Sequence, residues 1–372
     1  METDGTVRKW GSSFRHELAS TARKALFGFG LLTAGVARAH VFCVGTAAEL
    51  QSAFDAASNS GIYNGEDNVV ELQAATFSTS AASAFHFSSD ATHTLQVLGG
   101  WNEDCSEQAL VPTLSVLDGA QTTFVLSIRN GGDTTINYLT IQNGREPVGL
   151  YAAGLTLEAS NDTAIASVSY NIIQNNYATV LVPIFTTQPA GIEVYFPGGL
   201  YLMNNLIAGN TSEGTDAAGD IAITGNDCVT NNTIVDNKAT NDGDDGGLLL
   251  NAVGNAGAYV INNIFWGNTH AGLIIKDDSN LMQNNDWGVL GGSGSPGSGS
   301  ADNLSTAPLF VDRPDGNYRL AGDSPLLGKG NNAPECGLPA RDLDGHPRVF
   351  HGTVDIGAYQ ESVFSAGFEP SA

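Results

Sequence analysis

A short asparagine-centred phrase returns along the middle of the chain, and its spacing leaves few folds open. It reads Tyr170-Asn171-Ile172-Ile173-Gln174-Asn175-Asn176, then Asn204-Asn205-Leu206-Ile207-Ala208-Gly209-Asn210. It comes back as Asn231-Asn232-Thr233-Ile234-Val235-Asp236-Asn237 and as Asn262-Asn263-Ile264-Phe265-Trp266-Gly267-Asn268. A weaker copy runs from Asn137 to Asn143, and a degenerate one is Asn284-Asn285-Asp286-Trp287. Asn171 and Asn205 are 34 residues apart, followed by steps of 27 to Asn232 and 31 to Asn263. Imperfect self-similarity at this period marks a solenoid.

A second phrase keeps step with the first. A small residue and Gly precede alternating apolar positions in Ala153-Gly154-Leu155-Thr156-Leu157, Ala190-Gly191-Ile192-Glu193-Val194, Gly246-Gly247-Leu248-Leu249-Leu250 and Ala271-Gly272-Leu273-Ile274-Ile275, with Ala218-Gly219-Asp220-Ile221 a poorer match. Period-two alternation over so few residues predicts half-buried strands, so each repeat holds at least two strands joined by Gly/Asn turns. Asn tolerates the left-handed backbone region and Gly enters it freely. Coils stacked about 4.8 Å apart bring equivalent Asn residues over one another, where their amides can pair as a ladder. Which Asn of each pair points inward is left open. No helical period of matching length intervenes, and a β-sandwich has no reason to repeat a phrase in phase. The expectation is an all-β parallel β-helix.

The first 39 residues read differently. Arg8, Lys9, Arg15, Arg23 and Lys24 precede the apolar run Ala25 to Ala37, and Ala37-Arg38-Ala39 is a small-x-small cleavage site. This predicts a secretory signal peptide cut before His40 and no transmembrane segment in the mature chain. The leader holds six Lys/Arg and three Asp/Glu, so the remainder carries 9 basic against 36 acidic residues and a net charge of −27. Such a chain repels nucleic acid and polyanions unless cations bridge the contact. In an exported chain, Cys43, Cys105, Cys228 and Cys336 suggest two disulfides. Cys43 with Cys105 is the favoured pair, since both precede the clear repeats. Cys228 is then bonded to Cys336 or a buried free thiol.

Thr46-Ala47-Ala48-Glu49 is a capping box ahead of Leu50, Phe54 and Ala57 at helical spacing. It predicts a short helix that plugs the N-terminal end of the solenoid. Residues 40–116 are then the N-terminal cap and first coils, and 117–312 the repeats. Gly291 to Ser300 is a long loop on the last coil, after which Leu309-Phe310-Val311 resumes the strand pattern. A repeat-free C-terminal unit occupies 313–361, and 362–372 form a tail. Asn210-Thr211-Ser212, Asn231-Asn232-Thr233 and Asn303-Leu304-Ser305 match glycosylation acceptors, the second of them inside the ladder phrase.

The C-terminal unit carries a resemblance. Pro308-Leu309-Phe310, Asn317-Tyr318-Arg319-Leu320, Ser324-Pro325, Asp342-Leu343-Asp344-Gly345 with Arg348, and Asp355-Ile356-Gly357-Ala358-Tyr359 resemble the closing region of secreted right-handed β-helix proteins of the choice-of-anchor Q type, within the pectin-lyase-like superfamily. Phe42-Cys43-Val44, and Gly99-Gly100-Trp101 with Cys105, are similar to the same group. The family's closing motif usually ends in Glu, where this chain has Gln360. The tail Val363 to Glu369 looks like short tags on bacterial secreted proteins. The resemblance implies a single-stranded right-handed parallel β-helix at the bacterial cell surface or outside it. It does not imply one activity, because the superfamily joins lyases and hydrolases to adhesins.

In-phase repeats place loops. The segments after the Asn phrase, Thr211 to Ala218, Lys238 to Asp245 and Thr269-His270, should leave one side of the solenoid. That gathers Glu213, Asp216, Asp242, Asp244 and Asp245 as a binding flank, with Lys238, His270, Asp242, Asp244 and Asp245 as the candidates for catalysis. Carboxylates so clustered suit Ca²⁺ or an acid/base pair for glycoside hydrolysis, and equally suit solvated turns. Asp244 and Asp245, or Asp342, Asp344 and Asp355, are the candidate Ca²⁺ ligands. β-Elimination from a uronate needs a base and cationic charge, yet between Gly131 and Ser300 only Arg145, Lys238 and Lys276 are basic. The expected function is a monomeric, adhesin-like protein that binds an extracellular polysaccharide or cell-surface component. The alternative is a polysaccharide lyase or glycoside hydrolase using the acidic flank.

Overall fold

A computed structural model describes residues 39–80, 83–146, 151–179, 189–254 and 256–361. Most of the expected leader (1–38) and the tail (362–372) lie outside the described residues. Over the described residues the chain winds as a right-handed parallel β-helix with one α-helix. Each full coil crosses four sheets in turn. Sheet I has nine strands, from His40–Val44 to Leu281–Gln283. Sheet II has eight, from Thr76–Ser78 to Asp286–Trp287, and sheet III has four two-residue strands, from Arg145–Glu146 to Lys238–Ala239. Sheet IV has eight, from Phe85–Ser89 to Leu290–Gly291. All pairings in these sheets are parallel and, apart from one register shift between Glu71 and Gln73, in register, so alternate residues stack in columns. Ile136, Val168, Leu202, Val229 and Val260 form the inner column of sheet I. Ile141, Ile173, Ile207, Ile234 and Phe265 form that of sheet II. Each side chain is buried, which stabilises the fold by about 1.5–3 kcal/mol apiece against the entropy of ordering the chain.

The turn between sheets I and II explains the repeated phrase. Its first residue sits in the left-handed region: Tyr138, Tyr170, Asn204, Asn231, Asn262 and Asn284 have φ between 52° and 60°. From Tyr170 onward its second residue is the inward Asn, and after Tyr138 it is Leu139, whose backbone N–H donates to Asn171 Oδ1. Asn205 Oδ1 accepts from the backbone N–H and the amide of Asn171 at 3.0 and 3.1 Å. Asn205 donates to Asn232 Oδ1 in the same way, and through Nδ2 to the Val168 carbonyl at 2.8 Å. The relay continues through Asn263 and Asn285 to Asn303. A second ladder runs through Asn176, Asn210, Asn237 and Asn268 where sheet II turns into sheet III. The three glycosylation matches are therefore structural in at least two cases, because Asn210 and Asn231 are fully buried, and Asn303 carries the last rung of the first ladder.

The ends are closed as follows. Thr46 and Glu49 form the reciprocal capping box of helix Ala47–Ala57, which lays Leu50, Ala53, Phe54 and Ala57 over the first coils. Both disulfides are present, Cys43–Cys105 and Cys228–Cys336. One expectation is met with more detail and one changes. The expected minimum of two strands per coil is met with four, the two-residue strands showing no periodicity in sequence. Phe310–Asp312 is a strand, but it pairs antiparallel with Asn317–Leu320 and is not a further coil.

From this hairpin onward the chain lies along the side of the solenoid. Tyr318, Leu320, Leu326, Leu343, Ile356 and Tyr359 pack on the outward residues Ile172, Leu206, Val235 and Ile264 of sheet II. The first Asn of each turn holds this strap. Asn204 donates to Arg341 O, Asn231 to Asp355 O and Gly357 O, Asn262 to Asn331 O, and Asn284 to Lys329 O. Arg348 is fully buried and donates to Asn204 Oδ1 and to the carbonyls of Gly357, Ala358 and Tyr359. Burial pulls its pKa down to about 10, which leaves it charged at neutral pH.

Asn232→Asp keeps the acceptor for Asn205. It removes the donors to Leu202 O and Asn263 Oδ1, at 2.8 and 2.9 Å, and sets a charge against them. The expected loss is about 3 kcal/mol or more, read by urea unfolding at pH 7. Unchanged stability would show that the ladder does not hold the coils.

Candidate functional site

The acidic flank assembles where sheet III leads into sheet IV. The first residues of each predicted loop are strands, with Thr211 and Ser212 paired to Lys238 and Ala239. The loops proper begin at Glu213 and Thr240 and lie against one another. Asn241 donates to Glu213 O, and Asp216 N–H donates to Asp245 O at 2.7 Å. Asp245 Oδ1 accepts from Ala271 N–H at 3.1 Å, and His270 Nδ1 meets Asp244 O at 2.7 Å. Glu213 accepts from the Tyr177 hydroxyl at 2.8 Å, with the Arg145 guanidinium over the Tyr177 ring. Asp216 is buried and accepts from the Thr215 hydroxyl at 2.6 Å. The side chains of Asp242 and Lys238 are exposed and make no bond to this network among the described residues, although the Lys238 backbone pairs with Thr211.

The carboxylates of this flank do not form a cation cage. Among the described residues, one group of three acidic or histidine side chains brings its ligand atoms within 4.8 Å, and it is Asp342, Asp344 and His346. Its oxygens are engaged. Asp344 holds Arg319 at 2.5 and 2.6 Å, and Asp342 accepts backbone N–H bonds from His346 at 2.6 Å and Gln360 at 2.8 Å. Asp355 likewise accepts from Gly328 and Glu361 at 2.6 and 2.7 Å. Ca²⁺ takes six to eight oxygens, so binding there would break the bonds that tie the C-terminal unit to itself.

The outer face of sheet IV adds residues that sequence reasoning passed over. Thr156, Glu193 and Asp220 are paired in register on successive strands, one coil apart. Glu193 lines a cleft of about 240 Å³ with Tyr151, Thr156, Leu157, Glu158 and Tyr195. Tyr195 is 45% exposed, and the Tyr151 ring lies 4.7 Å from that of Phe124. Burial pushes the Glu193 carboxyl up to about 7, with the negative charge of Asp220 adding to it. Burial raises Asp220 to about 6 against the pull of Lys276. Burial also raises Asp216 to about 7, with Asp220 and Asp245 adding to it. The flank and the cleft thus form one acidic strip. The available signal was the shared place of Thr156, Glu193 and Asp220 in the Ala-Gly strand phrase, where two of the five copies put a carboxylate at an outward position.

No family model matches the chain, and no curated protein does. Among solved structures, that of pectate lyase Pel9A is similar over 88% of this chain and 98% of its own, at 11% identity and a TM-score of 0.33. At that score the likeness carries nothing about the site.

The raised carboxyls have a consequence for stability. Unfolded, these groups ionise near pH 4, whereas Glu193 and Asp216 retain protons to about 7 in the fold. Between those values the native state binds more protons, so their contribution is complete below about pH 4 and is lost as pH rises to 7. Glu193→Gln should therefore raise stability at pH 7.5 relative to wild type and change it little at pH 4, measured by denaturant unfolding. An equal effect at both values would show that Glu193 titrates normally.

Proposed function

We propose that the protein is an extracellular or cell-surface β-helix protein that binds a glycan along the strip formed by the sheet IV cleft and the acidic flank. The observation that carries this reading is the cleft between Tyr151 and Tyr195, floored by Thr156 and Glu193. Tyrosine offers an apolar face and a hydroxyl, and carboxylates accept from sugar hydroxyls, the mix of apolar walls and few polar groups that ligand clefts use. Two disulfides suit an oxidising compartment, and no helix among the described residues is long and apolar enough to cross a membrane. The acidic strip favours neutral or cationic sugars over polyuronates.

A second reading is glycoside hydrolysis, favoured by one feature. Glu193 and Asp220 sit on adjacent strands, about 4.8 Å apart along the backbone, near the roughly 5 Å between the carboxyls of retaining enzymes. Glu193, held protonated to about 7, would be the acid and Asp220 the nucleophile.

A panel of neutral, amino and acidic polysaccharides tests both readings. Retention of neutral or amino glycans, weakened about tenfold or more by Tyr195→Ala, supports binding. New reducing ends that vanish in Glu193→Gln and Asp220→Asn move the protein to the hydrolases. A rise at 235 nm on polyuronates would instead mean elimination, and retention of no glycan at all would overturn the binding reading.

A further inference from the structure

The two asparagine ladders end differently. The first is closed at its C-terminal end, where Asn285 donates its backbone N–H and its amide to Asn303 Oδ1 at 3.1 and 2.9 Å. The second stops at Asn268. In each earlier rung the backbone N–H and the side-chain amide converge on one oxygen of the next coil. Asn176 does so on Asn210, Asn210 on Asn237, and Asn237 on Asn268, all at 2.9–3.1 Å. Asn268 donates through Nδ2 to Ile234 O at 2.9 Å. Its backbone N–H and second amide hydrogen have no acceptor among the described residues. The next coil is shorter and brings Gly288 and Val289 to this place, not another Asn.

Asn268 lines a cleft of about 320 Å³ with Trp266, His270, Gly288 and Val289, within the size range of small-molecule sites. Trp266 is half-buried and braced from behind by the apolar cluster under the C-terminal strap. A methyl group on Gly288 would lie 3.5 Å from the Trp266 ring, so the glycine keeps that side of the cleft open. His270 Nδ1 faces the Asp244 carbonyl at 2.7 Å. A carbonyl only accepts, so Nδ1 carries the proton and Nε2 of the neutral ring is an acceptor. The cleft therefore offers two N–H donors of Asn268 with no acceptor among the described residues, of the kind that converge on one oxygen in every earlier rung, with an aromatic wall and one acceptor.

We propose that the open end of the second ladder is a subsite for an N-acetylated hexosamine unit of a glycan. The acetamido oxygen is chemically the amide oxygen that every other rung of the ladder receives. Its methyl and the sugar's C–H face suit the Trp266 wall, and a hydroxyl or the acetamido N–H can donate to His270 Nε2. A carboxylate could also receive two N–H donors, but Asp244 and Asp245 border the cleft through His270 and Ala271 and repel it. The inference deepens the glycan reading by naming a sugar, and it fails separately from it.

Calorimetric titration with three β-1,4 tetrasaccharides tests it: N-acetylglucosamine, its fully deacetylated counterpart, and glucose. The acetylated oligomer should bind roughly tenfold or more tightly than either of the others and should perturb tryptophan fluorescence. Asn268→Asp retains Oδ1 for Asn237 and removes the amide donors, and should weaken that binding by roughly tenfold. Gly288→Leu fills the cleft without touching the ladder and should do the same, which guards against a folding defect in the first variant. Equal binding of the three oligomers, no binding of the acetylated one, or binding indifferent to both variants overturns the subsite. Binding that survives both variants and is lost in Tyr195→Ala overturns it while leaving the glycan reading in place.

Discussion

Most of this structure depends on one relay, the amide-to-amide hydrogen bond at the turn between sheets I and II. A parallel coil must reverse direction without losing its backbone hydrogen bonds, and a buried turn leaves donors and acceptors that water cannot reach. Asparagine meets both needs, having one acceptor and two donors on a short side chain. Asn205 touches three coils. Its oxygen serves the coil before, and its amide serves the carbonyl of Val168 before and Asn232 after. The relay has a direction, since every Asn-to-Asn bond runs from a donor in one coil to the Oδ1 of the next. One end therefore presents an acceptor and the other a pair of donors, which is why closure by Asn303 and the lack of it at Asn268 are chemically different events.

The doubled asparagine divides two tasks between neighbours. The second residue builds the coil, and the first, held at positive φ, faces outward and ties down the C-terminal strap. Where the strap thins out towards the N-terminal coils, the first position is Tyr138 and Tyr170, whose rings stack 4.9 Å apart and need no partner chain to satisfy an amide. Buried Arg348 joins the two systems, reading Asn204 on one side and three strap carbonyls on the other.

The architecture was legible because its cause is periodic. Asn spacing, Gly-apolar alternation and the capping box follow from local chemistry visible in sequence, and the Cys43–Cys105 pair from both cysteines preceding the clear repeats. The two-residue strands of sheet III left no pattern to find, and the antiparallel pairing of Phe310–Asp312 depends on a partner strand, not on its own alternation. The candidate site was half legible. Loop phase put Glu213, Asp216 and Asp244–Asp245 on one flank. It gave no weight to Glu193 and Asp220, because a carboxylate inside a strand phrase looks like an ordinary solvent-facing residue until register stacks it on another. Loop phase also named His270, whereas Trp266 becomes interesting only through what the shortened last coil fails to supply.

The strap changes how the solenoid comes apart. In a simple repeat array each unit meets only its neighbours, and coils can melt singly from either end. Here residues 329–357 are bonded to four successive turns, at Asn204, Asn231, Asn262 and Asn284. The Cys228–Cys336 disulfide adds a covalent tie across 108 residues of sequence. Opening any one of those coils strains its ties to the strap, which the other three hold. The C-terminal half of the array therefore behaves as a single cooperative unit, and the coils ahead of the strap, closed by the helix Ala47–Ala57, are left as the part that can fray first.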